Sequence, residues 1–462
     1  MSGSAPHTLR ASVARIAPLA WPVLVGQVAV LMFATVDTVL VARHSAADLA
    51  AYAVGGAAYI TIFIGLMGVV MAVSPIVGQL FGAKRYAAAG DQLHQAVWLA
   101  LGLTGIGSTL LVFPAPFLAL AQATPEVAAK VRSFLLALAV ALPAGLLFAA
   151  YRGFNIAVSR PKAVMALQLG GLAIKVPLSA LLVYGAGPVP SLGVTGCGIA
   201  TAVALWCQVA VAWQVMKRDR FYDPFALLGH GLRAPNRAAL LAQVRLGVPM
   251  GASILVEVTG FAFMAVFISR ISATAVAGHQ IAANLVSLLF MVPLSLANAS
   301  STLVAQSIGA GDLRDARRMG WHSMQFVALI ALLLGGTVFV GREAIVRLYT
   351  GNAVIVAAAL PLLAWVGLFH FVDAMQIAAS FVLRAWRIAS VPLLIYAGSI
   401  WGIGLGGGYV LAFNVGGAVP AALHGARGYW IASTAGLAAA ALGLTLFLLW
   451  VLRQQRATAP AG

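Results

Sequence analysis

The sequence predicts an all-α polytopic membrane protein: twelve transmembrane helices in two pseudo-symmetric six-helix lobes. Three observations predict it. Of 462 residues, 62% are hydrophobic and 8% charged, with a mean hydropathy of +0.98. Soluble domains average about 25% charged residues, so an ordinary soluble globule is excluded, as is a disordered chain, which needs the opposite balance. The apolar residues also fall into long runs parted by short polar joints. At about 20 residues per span, the length holds about a dozen helices and no large soluble domain. Finally, the first half of the chain repeats in the second.

The first run, 17–42, follows a short, mildly basic stretch from Met1 to Arg15. It lacks a small-residue cleavage site and carries Asp37, so it reads as a retained helix. The second, 49–80, lies between Arg43-His44-Ser45 and Gly82-Ala83-Lys84-Arg85. Runs at 93–115 and 127–150 follow, and Ser159-Arg160-Pro161-Lys162 leads into the fifth, 162–184. The sixth, 193–216, holds both cysteines, Cys197 and Cys207. Ten residues of helix hold them about 15 Å apart, too far to bond to each other. A basic joint divides the chain near its middle, giving an N-terminal lobe at 1–216, a cytoplasmic linker at 217–239 and a C-terminal lobe at 240–462. The second half supplies runs at 240–268, 276–302, 321–341, 356–383, 391–413 and 430–452, with Gly309-Ala310-Gly311-Asp312 turning the eighth into the ninth.

The net charge is +17, from 28 basic and 11 acidic residues. With the N-terminus inside, alternate joints collect 20 basic residues inside against 7 outside, leaving Lys175 within a span. That bias predicts that both termini lie in the cytoplasm. It also explains the net charge by orientation and phospholipid contact, without nucleic acid.

A shift of 227 residues without gaps places Pro22 on Pro249, Arg43 on Arg270, Ser45 on Ser272, Gln79 on Gln306 and Gly82 on Gly309. Six spans per half is an even number, so the copies run parallel, a pattern that builds two lobes around an axis along the membrane normal.

Eight of the eleven acidic residues, Asp48 among them, lie in joints or at span ends and are expected on solvated surface. Asp37, Glu257 and Asp373 lie within spans. A carboxylate at the bilayer centre costs at least about 2.5–3.5 kcal/mol and normally faces a bundle interior or cavity. Glu257 is twelve residues from Arg245 and thirteen from Arg270; Asp373 is eleven from Arg384. Both are therefore near mid-depth, with no intramembrane basic partner expected. Two such carboxylates sharing a pocket would hold a proton or accept a Na⁺. Asp37 is six residues from Arg43, and Lys175 nine from Tyr184. Lys175 is thus about 5 Å deeper, within reach of a lysine stem. Their pair would neutralise both costs, either as a structural bridge or as a switch that opens when substrate or a proton arrives.

The first spans read Pro22-Val23-Leu24-Val25-Gly26-Gln27, Val36-Asp37-Thr38, Asp48-Leu49-Ala50-Ala51 and Gln79-Leu80-Phe81-Gly82. The second half reads Gly247-Val248-Pro249, Val256-Glu257-Val258, Gly278-His279-Gln280, Phe290-Met291-Val292-Pro293 and Asp373-Ala374-Met375-Gln376. In this order and spacing the chain resembles the multidrug and toxic compound extrusion (MATE) family, in its NorM-type bacterial branch. The resemblance implies twelve helices in two lobes and export of organic, often cationic, compounds in exchange for Na⁺ or H⁺. It also implies a cation site at Glu257 and Asp373. Where that pattern has a tyrosine four residues before the aspartate, this chain has Phe369, which removes an oxygen and weakens the Na⁺ reading relative to H⁺. At Lys175 and Ser179 related sequences tend to carry asparagines.

Gln280 and Asn284 share a face at i,i+4 and, with Phe369, are candidates to line the C-lobe cavity; interhelical hydrogen bonding is the commoner role of such amides. Gly402, Gly404 and Gly407 satisfy a dinucleotide fingerprint, but within a membrane run and outside any βαβ unit. With no nucleotide loop, transport is expected to run on an ion gradient. The expected protein is thus not an enzyme: a monomeric antiporter for amphipathic organic cations, with H⁺ or Na⁺ as coupling ion and no other cofactor. A lipid-linked oligosaccharide flippase is the alternative. It would want several cavity Arg or Lys, whereas only Lys175 stands clearly inside a span.

Overall fold

The computed structural model describes residues 8–122, 124–227, 229 and 231–457. Among them are twelve helices long and apolar enough to cross a membrane. They are α1 (Leu9–His44), α2 (Ala46–Gly82), α3 (Tyr86–Val112), α4 (Pro125–Ala157), α5 (Pro161–Tyr184) and α6 (Val194–Arg218). The second half supplies α7 (Arg237–Ser269), α8 (Ala273–Gly309), α9 (Leu313–Tyr349), α10 (Ala353–Ala385), α11 (Ser390–Ala412) and α12 (Ala426–Gln454). No strand occurs among the described residues beyond a single bridge between Ala186 and Val189. All-helical spanning follows from lipid chemistry: without water, a membrane segment must satisfy its backbone groups within itself.

The repeat is visible in the helix ends. Helices α2 and α8 start at Ala46 and Ala273 and end at Gly82 and Gly309; α3 and α9 start at Tyr86 and Leu313. Each of these pairs keeps the offset of 227. Ser45 and Ser272 hold the same extended conformation and cap α2 and α8, accepting from the N–H of Asp48 and of Ala275. Such a hydroxyl satisfies one of the donors a helix start leaves unpaired.

Two helices depart from regular winding. A turn at Met71 and Ala72 breaks α2. Within α11, Ala397–Gly406 is wound as a π-helix. That wide turn contains Gly402 and Gly404 and presses on α12, where a Cβ on Gly436 would meet the Ser399 carbonyl oxygen at 2.6 Å. The pattern's glycines thus lie in a helical span, with Gly402 facing open space and the close approach made by Gly436, and they form no phosphate-binding turn.

Two compact units emerge, with a divide that departs from the expected one. The first unit is Trp21–Gly251; the second comprises Met1–Ala20 and Ala252–Gly462. The boundaries fall inside α1 and α7 because the start of each helix packs with the other half of the chain. Ile16 and Ala20 of α1 belong to an apolar core with Leu303, Val304 and Met319. There Arg15 forms an ion pair with Asp315 at 3.0 Å, and Ser12 shares a hydrogen bond of 2.7 Å with His322. In the first unit, a Cβ on Gly247 of α7 would meet the Val69 carbonyl oxygen at 2.3 Å, and Gln243 donates to the Gln92 carbonyl at 2.9 Å.

The segment 217–239 is likewise more than a linker. Tyr222 and Phe225 are buried in the first unit's core, and Tyr222 donates to Asn155 at 2.7 Å. Trp98 donates to the Arg233 carbonyl at 2.8 Å and Gln95 to that of Ala234 at 3.1 Å. Beyond the end of α6, the Phe221 N–H and Arg160 hold Asp219 below the usual carboxylate range. This lowered group stabilises the anchor above the ordinary carboxylate range and loses that contribution as pH falls through the folded value. Screening at its solvent-facing position keeps the effect small.

Candidate functional site

In the second unit, α10 presents a polar stripe. Asp373, Gln376, Ser380 and Arg384 recur at intervals of three and four, the spacing that puts them on one helix face. Asp373 is 4% exposed. The Gln376 side-chain nitrogen donates to Asp373 Oδ1 at 3.0 Å and to Glu257 Oε1, on α7, at 3.2 Å. The two accepting oxygens are therefore within about 6 Å of each other. Gln376 Oε1 in turn accepts from the buried phenol of Tyr396 on α11. One amide thus joins both carboxylates and fixes its own orientation through a third helix. Its N–H groups lie between the negative groups, where an exchangeable cation would sit. Two carboxylates this close to one another favour a positive partner, a proton on one of them or a small cation between them.

Arg384 is a buried basic residue on the same helix as Asp373, ion-paired with neither carboxylate among the described residues. Its guanidinium lies 4.4 Å from the Phe381 ring centroid. Sequence reading assigned it to a cytoplasmic joint because it stands near a helix end. A second residue it missed is His370, one turn before Asp373 and fully buried, with neither ring nitrogen hydrogen-bonded among the described residues.

Phe369 does not line an open cavity. It is 4% exposed and packs 5.3 Å from Trp430 and 6.2 Å from Phe261, ring centre to ring centre. Its ring fills an aromatic core that also includes His279. Gln280 and Asn284 do share an exposed face of α8, and Asn284 accepts from Tyr349 at 2.8 Å. Neither is brought into the Glu257–Gln376–Asp373 group.

The first unit holds a separate polar site. Lys175 of α5 is 0% exposed and donates to Asp37 Oδ2 of α1 at 2.9 Å and to Thr201 of α6 at 2.6 Å. Ser179, one turn along α5, donates to Asp37 Oδ1 at 3.2 Å. Thr201 passes its own hydrogen to the Cys197 carbonyl at 2.8 Å. The pair anticipated from depth alone is present, and Ser179 and Thr201 complete it. Their spacing was the available signal: Ser179 is four residues from Lys175, and Thr201 four from Cys197.

Asp48 overturns its expected place on solvated surface. It is 1% exposed and accepts from Lys130 of α4 at 2.9 Å, Ser45 at 2.7 Å and the Val194 N–H at 3.3 Å, with His44 on the same carboxylate. Gly193, at φ +54°, lets the chain pass: a Cβ there would lie 2.8 Å from the carboxylate oxygens. Four helix ends meet on this one side chain. Asp48→Ala removes the acceptor that Lys130, Ser45 and the Val194 N–H share; Lys130 and His44 are partly exposed and stay hydrated, so the cost is that of the lost hydrogen bonds, about 1–3 kcal/mol. The expected result is a fall in thermal unfolding temperature, measured on purified protein. Unfolding at the wild-type temperature would show that the hub contributes little.

No group of three or more His, Cys, Asp or Glu side chains poised to hold a metal occurs among the described residues.

Comparison with known proteins gives a consistent result. A family model described as MatE matches residues 22–181 and 249–410, one copy in each half of the sequence. The probable multidrug resistance protein NorM of Aromatoleum aromaticum is 39% identical, over 97% of this chain and 96% of its own length. The multidrug resistance protein PmpM of Pseudomonas aeruginosa is 31% identical, over 95% and 92%. Among solved structures, the eukaryotic MATE transporter AtDTX14 superposes with a TM-score of 0.85 at 21% identity, covering 97% of this chain and 99% of that one. An outward-facing MATE family transporter of the MOP superfamily gives 0.84 at 17% identity, covering 96% of each. At these identities the structures speak for the fold alone. Twin matches to the family model, one per half, together with relatives aligned over nearly their whole length, show that this chain belongs to the MatE family.

Proposed function

We propose that this protein is a secondary antiporter that exports amphipathic, often cationic organic compounds in exchange for H⁺ or Na⁺. The observation that carries the reading is the Glu257–Gln376–Asp373 bridge, a pair of membrane-embedded carboxylates held on one amide. Relatives named as multidrug resistance proteins support the substrate class. Glu257 and Asp373 are assigned to ion coupling, and Asp37 with Lys175 to a second polar site. A proton suits the carboxylate pair better than Na⁺, because Gln376 turns donors toward it and Phe369 offers no oxygen. The flippase alternative loses support: Lys175 is already committed to Asp37, which leaves it without a free charge for a phosphate.

Dye efflux from proteoliposomes, with H⁺ and Na⁺ gradients imposed separately, tests the reading. Uphill movement of a cationic dye with at least one gradient is expected; its absence with both would sink the antiport assignment.

The bias of basic residues supports termini and the 217–239 segment on the cytoplasmic face of the membrane, which the NorM-named bacterial relatives make the inner membrane. Cysteines introduced at exposed positions of that segment should react with an impermeant maleimide only in inverted vesicles. Labelling in intact cells would reverse the topology.

A further inference from the structure

We propose that the first unit carries a second exchangeable proton, held on the amine of Lys175, and trades it for the positive charge of the organic substrate at Asp37. The inference rests on the antiport reading and deepens it, assigning the group that gives up the proton and the group that receives the substrate.

Lys175 is fully buried and hydrogen-bonded. It donates to Asp37 and Thr201, and its ammonium lies 5.3 Å from the Phe33 ring centroid. Asp37 also accepts from Ser179 and interacts with the Cys197 thiol. Of the other titratable groups around it, Tyr52 on α2 spends its hydroxyl on the Ala34 carbonyl at 3.3 Å. Lys130 on α4 is held by Asp48, which His44 of α1 also contacts. Asp37 thus has one cation in contact, and that cation is tethered. An organic cation can take Asp37 only if the ammonium withdraws or becomes neutral.

Neutralisation moves no helix. One N–H bond of the Lys175 ammonium breaks, the proton leaves to water, and the electron pair stays on nitrogen. The Asp37 carboxylate then accepts the positive charge of the incoming compound. One positive charge arrives and one departs, so the unit's net charge is unchanged. Thr201, whose hydrogen now points to the Cys197 carbonyl, can turn and donate to the amine lone pair, so the neutral form keeps a partner. In the arrangement observed, the Lys175 amine occupies the Asp37 carboxylate that the substrate would take. Reprotonation of Lys175 restores the ion pair and expels the bound cation, which gives substrate release without a second carboxylate. Lysine is the basic residue suited to this: an arginine would pair with Asp37 but could not give up its proton.

Lys175→Arg is therefore the discriminating change. The expected result is a protein that purifies and unfolds near the wild-type temperature, while ethidium efflux from proteoliposomes driven by a proton gradient falls at least tenfold. A structural bridge predicts near-normal efflux instead, and that outcome would overturn the proposal. A second measurement leaves Lys175 unmutated, in case the guanidinium does not fit. In the Glu257→Gln, Asp373→Asn background with ε-¹³C-labelled lysine, ethidium should release about one proton per molecule bound into weak buffer. The Lys175 resonance should move to the position of a neutral amine. Binding without either change overturns the proposal as well. If wild-type proteoliposomes fail to export ethidium with any gradient, the antiport reading falls first; if only the Lys175 measurements fail, that reading stands and the proton is not on the amine.

Discussion

Replacing Glu257 by Gln, or Asp373 by Asn, is expected to reduce gradient-driven dye export to the level of empty liposomes while the protein still folds and binds dye. Each substitution keeps side-chain volume and an oxygen able to accept from Gln376, so the bridge between α7, α10 and α11 survives in outline. What it removes is the negative charge that an H⁺ or Na⁺ must neutralise. Coupling requires that the ion bind the two conformations with different free energy, and a ligand without that difference shifts no equilibrium. With one carboxylate gone, the remaining one keeps the Gln376 donor as its hydrogen-bond partner, and the repulsion between two carboxylates that an added cation relieves is absent. Export should therefore fail with H⁺ and Na⁺ gradients alike, while equilibrium dye binding in detergent changes only a few-fold. Wild-type export by both variants would remove these residues from the coupling machinery. Loss of dye binding together with export would make them part of the substrate site.

Most of the fold was legible because its signal is local. Hydropathy marks the spans, and the offset of 227 recurs at the ends of α2, α3, α8 and α9 because the same serine caps and glycine stops recur with it. The Asp37–Lys175 pair was legible too, since depth along a helix follows from residue count and leaves a buried lysine few partners. Long-range choices were hidden. Asp48 sits at a span end like any solvated residue, and Lys130 and Val194, which bury it, lie far along the chain. Arg384 lies close to the end of its helix, where basic residues usually reach the interface, but its long side chain stays inside, over Phe381. Gln376 was visible only as part of a motif; its role depends on Glu257 and Tyr396 arriving from two other helices. The divide between units escaped because α1 and α7 are continuous helices whose ends pack with different partners.

The second large effect separates the charge of Asp37 from its place in the fold. Asp37→Asn alone leaves the Lys175 ammonium buried with a neutral amide, Thr201 and an aromatic face. Stranding one member of a buried pair costs up to about 3–5 kcal/mol, less whatever loss of the Lys175 proton recovers, so this variant should unfold at a lower temperature than wild type. Replacing Lys175 by Asn at the same time removes both charges, and Ser179 and Thr201 remain to hydrogen-bond the two amides. The double variant should recover most of the lost stability, which a thermal unfolding series on the single and double variants measures directly. Its transport behaviour assigns the roles. With Glu257 and Asp373 intact, export should stay coupled to the ion gradient but with about one proton fewer exchanged per dye molecule, and the dye concentration needed for half-maximal rate rises because the carboxylate that receives it is gone. If the double variant folds well yet couples export to neither gradient, while the Glu257 and Asp373 variants still do, the coupling ion works in the first unit and the assignment is reversed.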